Sequence, residues 1–188
     1  PLFTYGYGLN YSSTSSTPQL DEGDDDDGIE LNEIELLKGT ISDNFLGYIQ
    51  ESNLQQVQIN SNKVSSQNKV VSVDLIDVDK QDDTLKLTIQ ESDQLNSFLL
   101  LSKEILNLRT FDNGFINLKA RVNEIDDVKY LISCGIGCTP VVDLSEFLEE
   151  SNDFIEYSIP LKCFSNNSSL DLSKVNLPLY LASKGPLD

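Results

Sequence analysis

Histidine, methionine and tryptophan are absent from all 188 residues. Without histidine the chain lacks the usual general base near neutral pH and the commonest metal ligand. Without tryptophan, any stacking on a sugar ring falls to tyrosine or phenylalanine. Cations are scarce as well: 13 Lys and Arg stand against 31 Asp and Glu, a formal charge of −18. Such a surface repels nucleic acid and anionic membranes, so neither is expected as a partner, whereas neutral ligands such as sugars are compatible with it. No apolar run approaches the roughly 20 residues of a membrane span, so no membrane insertion is expected. A basic-then-apolar leader is missing too, and an export signal is expected to be removed or to lie upstream.

Cysteine is limited to Cys134, Cys138 and Cys163. The C-x3-C spacing with one distant cysteine and no histidine is a poor zinc pattern, and no metal site is expected. An exported protein would oxidise one pair and leave one thiol. Cys134 and Cys163 end strands that can be neighbours, while Cys138 is close to Cys134 in the chain, so the pairing stays open.

What is present is arranged in blocks. Pro1 to Tyr11 is dense in aromatics and holds two glycines, the composition of an ordered turn leading into a strand. From Ser12 to Gly28 the chain turns to Ser, Thr, Pro and then acids, the make-up of a self-repelling linker. Asp24 to Asp27 before Gly28 invite a calcium-loop reading. Aligned on Gly28, however, the first ligand position falls on Gly23 and the twelfth on Ile34, so an EF-hand fails and weak calcium binding is the most to expect. After a short amphipathic piece at Ile29 to Leu37, period-two alternation dominates. Leu54, Val57 and Ile59 mark one strand; Val71, Val73 and Leu75 a second; Leu85, Leu87 and Ile89 a third; Ile116, Leu118, Ala120 and Val122 a fourth. Val128 to Ser133, Phe154 to Ile159 and Leu177 to Leu181 add three more. With turn chemistry such as Asp112-Asn113-Gly114 between them, these runs predict an all-β antiparallel sandwich. A single short helix is expected over Asp143 to Glu150, where Asp143 and Glu146 fit a capping box and Leu144, Phe147 and Leu148 share one face.

The chain carries no catalytic constellation of its own. Carboxylates are so abundant that naming any two as a glycosidase pair has no force, and most lie in polar runs rather than in apolar niches that raise a pKa. Nucleophilic triads fail for want of histidine. Gly135-Ile136-Gly137 lacks the rest of a nucleotide fingerprint. A binding or structural module is expected.

Two stretches resemble a known family. LFTYGYGLNYSS, from Leu2 to Ser13, resembles the segment that closes the second catalytic-core domain of glycoside hydrolase family 3 enzymes. DVDKQDDTLKLTI, GFINLKARV, ISCGIGCTPVVDLSEFL, IEYSIPLKCFS and DLSKVNLPLYLASKGPLD, between Val73 and Asp188, resemble the C-terminal domain of a bacterial subgroup of exo-β-glucanases and β-glucosidases. The resemblance implies a galactose-binding-like jelly roll. It divides the chain into 1–13, the tail of a preceding catalytic-core domain; 14–28, an acidic linker; and 29–188, an accessory sandwich lacking its last strands after Gly185-Pro186-Leu187. It places the nucleophilic Asp, in a Ser-Asp-Trp motif, and the acid/base Glu in domains outside this chain. Ser42-Asp43-Asn44 lacks the Trp, and no catalytic residue is carried over.

The function so implied is that of a non-catalytic domain of a secreted, periplasmic or surface-associated hydrolase that removes terminal β-glucosyl residues. Its partners would be the preceding catalytic domains and β-glucan oligosaccharides. The alternatives are an independent carbohydrate-binding module and a structural or oligomerisation domain. Arg121, outward on its strand, suits a sugar or, more readily, an ion pair. Tyr130 and Tyr157 suit stacking on a pyranose or, more readily, packing. Gln81, Asp82 and Asp83 suit a turn or a contact with the catalytic domain. A Trp of the family is replaced at Ile155 or Glu156, which weakens a stacking platform there.

Overall fold

The computed structural model describes residues 3–12, 33–58, 63–81, 83–165 and 170–188. The strands in chain order are β1 (Phe3–Ser12), β2 (Glu33–Lys38), β3 (Thr40–Ile41), β4 (Phe45–Gln50), β5 (Leu54–Val57), β6 (Val64–Ser65) and β7 (Val71–Ile76). There follow β8 (Thr84–Ile89), β9 (Asn96–Ser102), β10 (Phe115–Val122), β11 (Lys129–Ser133), β12 (Val141–Asp143), β13 (Ile155–Pro160) and β14 (Leu177–Ser183). Among the described residues they form two antiparallel sheets. The first runs β13-β10-β1-β8-β7-β6, with β2 on β1 and β3 on β2; the second runs β12-β11-β14-β9-β4-β5.

Alternation explains why these segments are strands. In β10 the residues Ile116, Leu118, Ala120 and Val122 are buried while Phe115, Asn117, Lys119 and Arg121 are half-buried, so one face of the strand enters the core. Leu85, Leu87 and Ile89 do the same in β8. The second sheet answers with Ile49, Phe98, Leu100, Tyr130, Ile132, Leu179 and Leu181, giving one continuous apolar core between the layers. The fold is the expected all-β sandwich of the galactose-binding-like kind. Strand β9 departs from alternation in burial: Phe98 and Leu100 lie in the core, and Leu99 is buried on the outer face between Tyr48 and Tyr180.

One expectation changes. The helix over Asp143 to Glu150 is a single 3-10 turn, Leu144–Glu146. The Asp143 side chain does cap it by accepting from the Ser145 amide, but Leu144 and Leu148 are both drawn into the sandwich core, and one turn is enough to bring them there. The one short α-helix among the described residues, α1, lies instead at Lys162–Ser165. Next, the tail expected to belong with a preceding domain contributes β1, whose backbone pairs with β10 and β8 at one end and with β10 and β2 at the other. The Tyr11 ring is fully buried in this sandwich's core, and its hydroxyl donates to the Pro178 carbonyl at 2.8 Å. At the C-terminal end Leu187 bridges to Ile89 and Ile125, and the Asp188 carbonyl accepts from the Asn123 and Glu124 amides. The acidic linker 14–28 with its Asp24 to Asp27 block, Ile59 and Asp82 lie outside the described residues.

Candidate functional site

The residues singled out for sugar binding separate in the structure. Tyr130 is 1% exposed; its hydroxyl donates to the Pro178 carbonyl at 2.9 Å, and its ring meets Phe164 edge-on with centroids 5.2 Å apart. Tyr157 is 9% exposed and donates to the Glu149 carbonyl. Both are packing residues, because a ring enclosed by the core offers no face to a pyranose. Burial pushes the Tyr157 hydroxyl above its usual range, with the Glu149 contact a smaller, opposing influence. Arg121 does lie on the outer face of β10, where its guanidinium carbon is 5.4 Å from the Phe154 ring centroid, a cation–π contact.

Of the cysteines, Cys134 and Cys138 are bonded and Cys163 is a free, half-buried thiol. The closed loop is tight: the Cys134 amide donates to the Cys138 carbonyl, and the Cys138 amide to that of Gly135. Gly135 and Gly137 take φ of 113° and 78°, which a side chain would resist, and they leave Ile136 wholly exposed at the tip. Asp83 has a turn role. Its carboxylate accepts from the amides of Val78, Asp79 and Lys80.

The two outer faces differ in kind. That of the first sheet is charged. Lys86 sits opposite Asp74 and 3.9 Å from the Asp188 carboxylate, and burial, then the Lys63 charge, lowers its pKa. Beside it Lys63, Ser65, Lys69, Ser72, Thr88 and Gln90 line a recess of about 330 Å³. A larger cleft of about 510 Å³ is bordered by Glu91, Asp93, Asp126, Asp127 and Lys184. Among the described residues no group of three or more His, Cys, Asp or Glu is placed to hold a metal ion. Every described carboxylate with a shifted pKa is shifted down: Glu51, Asp83, Asp143 and Asp171. A general acid for glycoside cleavage needs the opposite.

The outer face of the second sheet is largely uncharged. One row crosses all six strands by direct pairing: Gln56, Tyr48, Leu99, Tyr180, Leu131 and Val141. The row beside it reads Leu54, Gln50, Ser97, Ala182, Lys129 and Asp143, so charge enters only at the β11–β12 end. Tyr48 and Tyr180 are half-buried on either side of Leu99. The Tyr180 hydroxyl donates to Gln50 Oε1 at 3.4 Å. Ser97 is 1% exposed, yet its hydroxyl has no hydrogen-bond partner among the described residues. Sequence reasoning missed both tyrosines, although strand parity marks them. Tyr180 falls between the inward Leu179 and Leu181, and Tyr48 precedes the inward Ile49.

Residues 46–188 match the Exop_C family model, which is galactose-binding domain-like. Among solved structures, the fold is similar to the extra C-terminal domain (X) of the exo-1,3/1,4-β-glucanase ExoP from a Pseudoalteromonas species. The TM-score is 0.63 at 17% identity, covering 81% of this chain and 85% of that one. The structure of ExoP from the same organism matches with a TM-score of 0.64 at 18% identity, over 81% of this chain and 19% of that chain. At such identities the likeness is one of fold. No curated protein matches the chain by sequence.

Proposed function

The chain belongs to the galactose-binding domain-like Exop_C family, and from that premise we propose that it is a non-catalytic accessory domain of a β-glucan-degrading glycoside hydrolase. The observation that carries this reading is the likeness in fold to the extra C-terminal domain of an exo-1,3/1,4-β-glucanase, itself one module of a longer enzyme. Hydrolysis of terminal β-glucosyl residues belongs, on this reading, to catalytic domains of the same polypeptide, which residues 1–13 resemble at their end. Export is part of the proposal, supported by the Cys134–Cys138 cystine, a bond that persists in oxidising compartments.

The test is a comparison of three proteins: the 188-residue chain, the longer polypeptide, and that polypeptide cut before Glu33. The chain alone is expected to release no glucose from cello- or laminari-oligosaccharides. The cut enzyme should keep its activity on an aryl glucoside and lose activity on long oligosaccharides, or lose stability. Hydrolysis by the chain alone would refute the reading, as would a cut enzyme unchanged in both stability and oligosaccharide hydrolysis.

A further inference from the structure

Antiparallel sheets of a sandwich ordinarily turn polar side chains to water. The outer face of the second sheet does not. From Tyr48 to Val141 its central row is Tyr, Leu, Tyr, Leu, Val without a charge, in a chain of net charge −18. Tyr48 and Tyr180 flank β9, so their backbones stand two strand spacings apart, roughly 10 Å, the length of a disaccharide. The full row spans roughly 24 Å over six strands. Amide side chains accompany it, Gln56 beside Tyr48 in the row and Gln50 one step along β4.

We propose that this row is a track for a linear, uncharged β-linked glucan, with Tyr48 and Tyr180 as the two ring contacts and Gln50 and Gln56 as hydrogen-bonding partners to its hydroxyls. Amphipathic tyrosines present an apolar ring and a polar tip, the combination a pyranose offers in return. The absence of charge along the centre of the row selects a neutral polymer over an anionic one. The choice of a glucan rests on the accessory-domain reading above; the placement of the track rests on strand register and burial alone.

The experiment uses the 188-residue chain, which has no tryptophan, so its intrinsic emission comes from tyrosine. Cellohexaose, laminarihexaose and glucose are titrated separately, with calorimetry beside the fluorescence. At least one hexasaccharide is expected to bind where glucose does not, and the better of the two identifies the linkage. Tyr48→Ala and Tyr180→Ala should each weaken binding about tenfold, equivalent to roughly 1.4 kcal/mol, with thermal midpoints near that of the parent. Tyr157→Phe, buried on the other sheet, should bind as the parent does. The proposal is overturned if neither hexasaccharide binds at millimolar concentration to the folded chain, or if the Tyr48→Ala/Tyr180→Ala double variant binds both as well as the parent. It is also overturned if the double variant leaves hexasaccharide binding unchanged and, placed in the longer polypeptide, lowers that enzyme's thermal midpoint, for the row would then be an interface between domains. That last outcome leaves the accessory reading standing, whereas hydrolysis by the chain alone would remove that reading and leave the track measurable.

Discussion

The Pro178 carbonyl accepts from two buried tyrosines, Tyr11 at 2.8 Å and Tyr130 at 2.9 Å, and so ties β1 and β11 to the start of β14. Removing one hydroxyl leaves the carbonyl satisfied by the other, so Tyr11→Phe is expected to lower stability by only about 0.5–1.5 kcal/mol, measured by urea unfolding at pH 7. Its pH dependence is the sharper signature. Burial holds the Tyr11 proton well above the usual tyrosine range, the bond with Tyr130 opposing this in small part. A folded pKa above the unfolded one means that this contribution is complete below about pH 10 and is lost as pH rises further. Tyr11→Phe should therefore flatten the fall in stability above pH 10, and an unchanged slope would show that other tyrosines control it. Two glycines make a second comparison. A Cβ at Gly185 would lie 2.8 Å from the Asp126 carbonyl oxygen, which is backbone, whereas at Gly47 it would meet the Ile41 side-chain tip. Both alanine variants overpack, at about 1–3 kcal/mol. Gly185→Ala should be the worse in thermal unfolding, and Ile41→Ala should relieve Gly47→Ala but not Gly185→Ala.

Among elements, the Cys134–Cys138 loop is closed by one covalent bond and two backbone hydrogen bonds, and it projects beyond the sheet. So short a loop constrains little of the unfolded chain, about 2 kcal/mol by loop entropy. The double Cys134→Ser, Cys138→Ser variant should keep the fold and lose at most that much, while Cys163→Ser should be near neutral in the same denaturation series. Asp143, where β12 meets its 3-10 turn, joins two elements by holding Lys129 of β11 and capping Ser145. The Lys129 hydrogen bond first, then Ser145, keep its carboxyl below the usual carboxylate range. This stabilisation is present above about pH 4 and lost as pH falls through the folded value. Asp143→Asn should cost about 1 kcal/mol or less at pH 7, because the pair is partly exposed and Lys129 also reaches Asp127. The gap to the parent should close in acid. The elements legible in the sequence are those with one wet face: Thr84–Ile89 and Phe115–Val122 alternate cleanly. Asn96–Ser102 escapes because apolar residues occupy both its faces from Phe98 to Leu101 and period two disappears. Residue type alone admits Tyr130 and Tyr157 as sugar contacts, whereas parity with Ile132 and Ile159 turns them inward. The same parity applied to Tyr48 and Tyr180 points to the outer track.

At the scale of the whole molecule, charge and apolar surface are segregated. The acids crowd the linker, the turns and the rim cleft, while the outer face of the second sheet stays nearly free of them. A net charge of −18 opposes compaction by self-repulsion, whereas the ion pairs among the described residues are at least partly exposed at both partners or, for Lys86 and Asp188, sit at 3.9 Å. Exposed pairs contribute about 0–1 kcal/mol each, so screening removes more repulsion than attraction. The thermal midpoint should therefore rise steadily with sodium chloride from about 10 mM to 0.5 M, as the Debye length shrinks from roughly 30 Å to below 8 Å. A falling midpoint would mean that the ion pairs outweigh the repulsion. Binding of an uncharged hexasaccharide should stay flat over the same range, because the row from Tyr48 through Leu99 to Tyr180 contains no charged residue. A strong salt dependence of that affinity would move the ligand toward the charged face of the first sheet, where Lys63 and Lys69 line the recess.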